Sequence, residues 1–284
     1  MQTIQWFPGH MAKAKREILE KIKLVDLVIE LKDARIPYSS TNPMIHEIVG
    51  SKPRLILLCK SSMADPIVTK EWIAYYKEKN ILALDIDSLT GYHISSVLPY
   101  CMEALKEVYE ARRKKGILSK TIKAMILGIP NVGKSTLINT LARRKATTVG
   151  DRPGVTKSQT WIKVTNDLFL LDTPGILWPK FEDQSVGLKL AMCGSIKDEI
   201  LDMDRIVLES IQYLALHYPK LLMDRYPIKI TDPEDILLQI GKARGFLLKG
   251  GAIDIERTNR MFMNELRGMK IGAMSYERPE VESI

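Results

Sequence analysis

The sequence predicts an α/β chain: a doubly wound, mainly parallel sheet over residues 1–179, followed by a small all-α domain over residues 180–284. Three observations carry this. Strand-length apolar runs alternate with amphipathic helical patterns through the first part, and such alternation builds parallel sheets with helices on both faces. One of the runs, residues 122–127, leads into Gly128-Ile129-Pro130-Asn131-Val132-Gly133-Lys134-Ser135. This fits G-x-x-x-x-G-K-[ST], the loop that joins a strand to a helix in phosphate-binding folds. After Pro179 strand signals nearly vanish, and helical periodicity dominates at 186–192, 204–217, 233–243 and 254–266.

Taken in order, the chain opens with Trp6-Phe7-Pro8-Gly9-His10-Met11 and a basic helix over 12–24, whose apolar stripe is Ile18, Ile22 and Val25. A strand over 27–31 runs into Asp33-Ala34-Arg35-Ile36-Pro37, a strand-end loop in which Asp33 and Arg35 are expected to brace each other. Asn42-Pro43 starts a short helix that ends at Gly50. A second buried strand covers 54–59, an amphipathic helix 69–79, and a third strand 81–86. One long helix is expected over 94–111, and the run Arg112-Arg113-Lys114-Lys115 reads as a solvated linker. The phosphate-loop strand and the helix over 136–144 follow, with Leu137, Ile138 and Leu141 on one face. Two strands at 159–164 and 168–171 then turn about Asn166-Asp167.

Composition narrows the class. The chain has 284 residues, 45% of them hydrophobic and 27% charged, as expected of a globular protein able to bury a core. No apolar run approaches the ~18 residues of a membrane span, and the N-terminus carries no signal pattern. Three scattered cysteines, Cys59, Cys101 and Cys193, fit neither a disulfide framework nor a zinc site, so a cytoplasmic location is expected. The net charge of +8 leans toward a polyanionic partner such as RNA, whose released counterions drive binding.

The chemistry gathers around the glycine-rich loop. Its backbone N–H groups and the following helix N-terminus favour phosphate, Lys134 adds a point charge, and Ser135 offers an oxygen to Mg²⁺. The candidate nucleotide contacts there are Asn131, Val132, Gly133, Lys134, Ser135 and Thr136. Downstream, Asp172-Thr173-Pro174-Gly175 ends an apolar strand. In a P-loop hydrolase such an Asp holds Mg²⁺, usually through water, and the Gly N–H meets the γ-phosphate. Between them Thr156 is the candidate second Mg²⁺ ligand, with Thr147 and Thr148 as competitors. A guanine site also needs [NT]-K-x-D on a strand end, and no such pattern follows Gly175. The stretch that can serve lies upstream, Cys59-Lys60-Ser61-Ser62, with Asp87-Ser88 one strand later. The base-reading half therefore precedes the phosphate half, a circular permutation of the usual order.

Together with Trp6 to Met11, Asp33 to Pro37, Gly150 to Thr156 and Ile176-Leu177-Trp178-Pro179-Lys180-Phe181, these motifs resemble the circularly permuted GTPases of the YlqF/YawG group, essentially end to end. The resemblance implies a circularly permuted P-loop GTPase domain that binds GTP and Mg²⁺ and turns over slowly. It implies a protein that engages the large ribosomal subunit late in assembly, with nucleotide state gating rRNA contact and release. The C-terminal domain is similar to the family's RNA-contacting domain, and here it holds Lys242, Arg244, Lys249, Arg257, Arg260, Arg267 and Lys270.

One departure stands out. The family's Asn-Lys-x-Asp has Cys59 for the Asn and Ser62 for the Asp. A lost charge-assisted hydrogen bond costs ~1.5–3 kcal/mol, about tenfold to a hundredfold in affinity. Lys60 can still cover the base, and Asp65 and Asp87 are the other carboxylates in range. The expectation from residue 62 is weaker or less guanine-selective binding. Two alternatives follow: an RNA-binding scaffold with weak or base-relaxed nucleotide binding, and an NTPase of relaxed base choice. The position after Gly175 is Ile176, which cannot orient a water, and the family shares an apolar residue there. His10 is the candidate for that catalytic role; its other readings are packing beside Trp6 and Phe7 or touching RNA. Asn131 resembles the residue found in potassium-stimulated GTPases, so K⁺ joins Mg²⁺ as an expected cofactor.

Overall fold

The computed structural model describes residues 16–116, 121–142, 160–173, 175, 177 and 183–279. It forms two compact units. One holds the described residues up to Gln184 together with those from Ser275 onward; the other is Ser185–Met274. His10, Thr147, Thr148 and Thr156, the Trp6–Met11 and Gly150–Thr156 motifs, and Ile176 lie outside the described residues.

The first unit is built on six strands: β1 (Leu27–Asp33), β2 (Arg54–Cys59), β3 (Leu82–Asp85), β4 (Ile122–Gly128), β5 (Thr160–Lys163) and β6 (Leu168–Asp172). They lie in the order β3-β2-β1-β4-β6-β5. All neighbours are parallel except β5 and β6. Strands covered on both faces need apolar side chains in unbroken runs rather than alternation, which is why Leu27, Val28, Ile29 and Leu31, and Leu55 to Leu58, are all fully buried. The parallel order brings Asp33, Cys59, Asp85, Gly128 and Asp172 to the same sheet edge. Chain order reverses between β1 and β4, and such a switch point opens a crevice at the strand C-termini.

Residues 16–21 are helical, within the basic helix expected over 12–24; the unit's further helices are α1 (Pro43–Val49), α2 (Pro66–Glu78), α3 (Val97–Ala104), α4 (Lys106–Lys114) and α5 (Lys134–Leu141). The start of α2 is fixed by Pro66 in the first turn and by the Asp65 carboxylate, which accepts from the Ile67 and Val68 N–H groups. Its buried face, Val68, Trp72 and Tyr76, packs on Ala34, Ile56 and Leu58. The single helix expected over 94–111 is divided. A 3₁₀ turn at Ile94–Ser96 precedes α3, and the chain leaves helical geometry at Leu105 (φ −102°, ψ 4°) before α4 begins. Leu105 is fully buried there. The basic run is not a linker: Arg112, Arg113 and Lys114 form the last turn of α4, where cations suit the helix dipole. Arg112 also pairs with Asp26 at 2.6 Å.

The second unit packs α6 (Gln184–Met192, entering from the first unit), α7 (Met203–His217), α8 (Pro219–Arg225), α9 (Pro233–Ala243) and α10 (Ile255–Arg267). Asp202, Asp232 and Asp254 cap α7, α9 and α10 by accepting a backbone N–H three residues on. Ile206, Val207, Ile211, Ile236, Ile240 and Phe262 are among its buried side chains. Gly241 lets α9 close in on the segment leading into α10, since a Cβ there would stand 2.4 Å from Ile253 Cγ2 and 2.8 Å from Thr258 Oγ1. Glu265 is the unit's buried charge. It accepts two bonds from Arg225 (2.7 and 2.6 Å), one from Tyr226 (2.8 Å), and weaker ones from Arg244.

Of the C-terminal cations, Arg267 is half-buried in internal pairing, whereas Arg244 is exposed while donating to Glu265 at 3.2 Å. Arg267 joins Asp198 at 2.8 Å and donates to the Ala191 carbonyl at 2.7 Å. The helical unit also ends at Met274 instead of running from 180 to the C-terminus. Beyond it, the Tyr276 N–H donates to the Arg35 carbonyl. Glu277 accepts from the Tyr38 and Ser39 N–H groups, and its carbonyl accepts from Trp72 Nε1.

Candidate active site

The loop between β4 and α5 has the shape a phosphate requires. Asn131 (φ 57°) and Gly133 (φ 104°) are left-handed, turning successive N–H groups toward one side. No side chain caps α5 at Gly133, so its first N–H groups are donors for an anion. Val132 is buried and anchors the loop from below. Asn131, Ser135 and Thr136 are half-buried along the same turn.

Lys134 and Asp172 meet. Their side chains are almost wholly buried, and Lys134 Nζ stands 2.6 Å from Asp172 Oδ1. Lys134 also donates to the Thr173 carbonyl. Burial pushes the Lys134 ammonium below its usual range, against the opposing pull of Asp172. Thr173 is tied to the sheet by its hydroxyl, which donates to the Ile126 carbonyl at 2.6 Å. Gly175 lies directly on the loop: a Cβ there would stand 2.9 Å from Pro130 Cα and N. Only glycine permits that approach, so Asp172, Thr173 and Gly175 lie against the phosphate loop as one surface.

The β1 end forms the next part. Asp33 is fully buried and accepts from Arg35 Nε (2.9 Å) and Nη2 (2.7 Å) and from Lys60 Nζ (3.1 Å). Burial would raise its carboxyl; Arg35, then Lys60, outweigh that and hold it well below the usual carboxylate range. The expected Asp33–Arg35 brace is thus present, and it extends to Lys60, the residue at the family's base-covering position.

Cys59 is buried, with its thiol 3.7 Å from the Leu57 carbonyl. Lys60 takes a left-handed turn (φ 58°) into the 3₁₀ segment Ser61–Met63. The Ser61 N–H donates to the Ile86 carbonyl, and the Ile86 N–H to the Leu58 carbonyl, so the loops after β2 and β3 are stitched together. The exposed Ser62 donates its hydroxyl to Asp87 Oδ2. Asp65 is occupied in capping α2. The Ser88 carbonyl accepts from Thr140 on α5 at 3.2 Å, which joins this loop to the phosphate half. The sequence held no signal for the direct Lys134–Asp172 pair. For the Ser62–Asp87 pair, the unusual Ser at 62 together with an Asp at 87 was the available hint.

A divalent metal is fitted by what is here. Among the described residues no group of three or more His, Cys, Asp and Glu could hold a metal. Mg²⁺ at a nucleotide takes one or two protein oxygens and completes its shell with water and phosphate. The Ser135 hydroxyl and the Asp172 carboxylate, on the strand end beside Lys134, are a donor set of that kind.

Residues 123–217 match the family model described as "50S ribosome-binding GTPase". The chain is 52% identical over 281 residues to ribosome biogenesis GTPase A of Bacillus cereus, covering 98% of this chain and 95% of that protein. The chain belongs to the ribosome biogenesis GTPase A family. The Thermotoga maritima member is 31% identical, covering 98% of this chain and 95% of its own length. Among solved structures, GDP-bound TM YlqF superimposes with a TM-score of 0.70 at 27% identity, covering 93% of this chain and all of that one. GNP-bound YlqF from T. maritima gives 0.69 at 28% identity, covering 94% and 99%. As a family member the chain is a GTP hydrolase involved in ribosome biogenesis. The family implies a divalent metal, typically Mg²⁺, and ribosome association. No helix among the described residues is long and apolar enough to cross a membrane.

Proposed function

We propose that the chain binds GTP and Mg²⁺ at the C-terminal edge of β4, β1 and β6, and that hydrolysis there times its contact with the large ribosomal subunit late in assembly. The observation that carries this is the convergence of Lys134, Asp172 and Gly175 on one loop. The N–H groups of residues 131–136 cradle the phosphates, and Lys134 leaves Asp172 to neutralise their oxygens. Ser135, Asp172 through water, and Thr156 would hold Mg²⁺, which when bound would supply positive charge against that developing on the phosphates. Gly175 offers its N–H to the γ-phosphate while packed on Pro130, so loss of that phosphate frees the segment.

The attacking water adds to the γ-phosphorus as the bond to the bridging oxygen breaks, giving GDP and inorganic phosphate. His10 orients that water, because Ile176 cannot. His93 supports this choice by being engaged elsewhere, stacked on Tyr92. Asn131 would hold a potassium ion, which would supply further positive charge toward the phosphates. Gly175 lies only ten residues before Ser185 in the chain, so movement of this segment is passed on to the helical unit. That unit contacts rRNA through Lys242, Lys249, Arg257, Arg260 and Lys270, which are exposed. Co-sedimentation with purified large subunits tests the reading. Binding is expected with a non-hydrolysable GTP analogue and weakened with GDP. Equal binding with both nucleotides would contradict it and favour a scaffold that only binds RNA.

A further inference from the structure

We infer that Ser62 and Asp87 together form the guanine reader of this site, the charged acceptor having moved from the loop after β2 to the loop after β3. The inference rests on the GTP reading above. Guanine presents N1–H and an N2 hydrogen side by side, and reading them takes two adjacent acceptor oxygens, one of them charged. Residue 62 alone cannot supply these. Four carboxylates lie at the ends of β1 and β3 and in the loops after β2 and β3. Asp85, at the end of β3, faces His93 Nδ1 at 3.3 Å. Asp33 is fully buried and committed to Arg35 and Lys60. Asp65 is committed to the first turn of α2.

Asp87 remains, and its geometry suits the task. Its Oδ1 accepts from the Leu89 N–H (2.8 Å) and the Thr90 N–H (3.1 Å), which fixes the carboxylate plane. Its Oδ2 accepts the Ser62 hydroxyl. Ser62 has a single hydrogen, and with it given to Asp87 the Ser62 oxygen can only accept. Ser62 is exposed and Asp87 is 3% exposed, so the pair sets two neighbouring acceptor oxygens side by side, backed by one negative charge, as a carboxylate at position 62 would. Burial raises the Asp87 carboxyl, but the Ser62 hydroxyl and the Thr90 and Leu89 N–H groups outweigh it and keep the group ionised at neutral pH. The Ser61–Ile86 and Ile86–Leu58 backbone bonds fix the two loops to each other. The Thr140–Ser88 bond fixes them to the helix behind the phosphate loop. Lys60, held by Asp33, supplies the stem that covers the ring. Adenine meets the same pair with a lone pair at N1 and no 2-amino group, and is rejected. This replaces the relaxed base choice expected from residue 62 alone.

The test is competition of GTP, ITP, XTP and ATP against a fluorescent GDP on the full chain. GTP should lead. ITP, lacking the 2-amino group, should be weaker by about tenfold, the worth of one such bond. Asp87→Asn keeps the Oδ1 acceptor and so the turn; it should weaken GTP by about tenfold to a hundredfold and improve XTP, whose C2 carbonyl accepts from the new amide. Ser62→Ala, at an exposed position, should narrow the preference of GTP over ITP. The double change Ser62→Asp with Asp87→Asn should restore GTP preference. A GTP preference untouched by both single changes, or equal binding of GTP and ATP by the unaltered chain, overturns the reader and leaves the phosphate site standing. Absence of binding by all four nucleotides, or equal binding after Lys134→Ala, overturns the GTP reading itself.

Discussion

Asp33→Asn is the most exacting test of how the nucleotide edge is held. The carboxylate is fully buried and receives Arg35 through two side-chain bonds of 2.9 and 2.7 Å, the Arg35 N–H at 3.1 Å and Lys60 at 3.1 Å. The amide has nearly the same shape but turns a donor toward a donor, and the guanidinium, itself 4% exposed, loses its buried counter-charge. Removing one partner of a buried pair costs about 3–5 kcal/mol. For a domain approaching this size each kcal/mol lowers the melting temperature by about 2–4 °C, so a fall of about 6–20 °C is expected. Thermal unfolding of the nucleotide-free full chain measures it. Removing both partners costs less than orphaning one, so Asp33→Asn with Arg35→Met should melt above Asp33→Asn alone. A fall of less than about 2 °C, well below that range, or a double variant worse than the single, refutes the reasoning. The pH dependence gives a second check. A carboxyl held below its usual range stabilises fully above that range, and the benefit fades as pH falls through it. The gap between wild type and Asp33→Asn should be constant from neutral pH to about 5 and shrink below about 4.

Other outcomes follow from single contacts. Gly175→Ala places a Cβ 2.9 Å from the Pro130 backbone, which must push the segment off the phosphate loop; the affinity difference between GTP and GDP, measured by calorimetry, should collapse. Glu265→Gln removes the charge shared by Arg225 and Arg244 while sparing the Tyr226 bond. With both arginines about a third exposed, it should destabilise the helical unit by about 1–2 kcal/mol, read as an earlier urea transition. His10→Ala should abolish GTP turnover in a phosphate-release assay while leaving GTP affinity unchanged. Turnover should be faster in potassium than in sodium buffer at equal ionic strength, and Asn131→Ala should erase the difference.

Local chemistry was legible in the sequence, and long-range pairing was not. The strand into Gly128, the loop itself and the helix after it follow from residues that are neighbours in the chain, and their boundaries agree with β4 and α5 to within a few residues. Parallel strands declared themselves because both faces are buried. The break at Leu105 left no glycine or proline as a marker, so periodicity carried straight through it. Helix α8 has only seven residues, too few to show a period. The partner that holds Arg267, Asp198, is unmarked in sequence. Ser62 and Asp87 lie in different loops; either alone is an ordinary turn residue, and only the fold shows that they touch.

Under the proposed function, Lys134 and its neighbours hydrolyse GTP in a manner governed by the large ribosomal subunit. The most direct measurement is GTP hydrolysis with and without purified large subunits, for wild type and Lys134→Ala. Slow turnover that rises when subunits are added, and no turnover in the variant under either condition, is the result predicted. A wild-type rate indifferent to subunits, or a variant that still hydrolyses GTP, would contradict it.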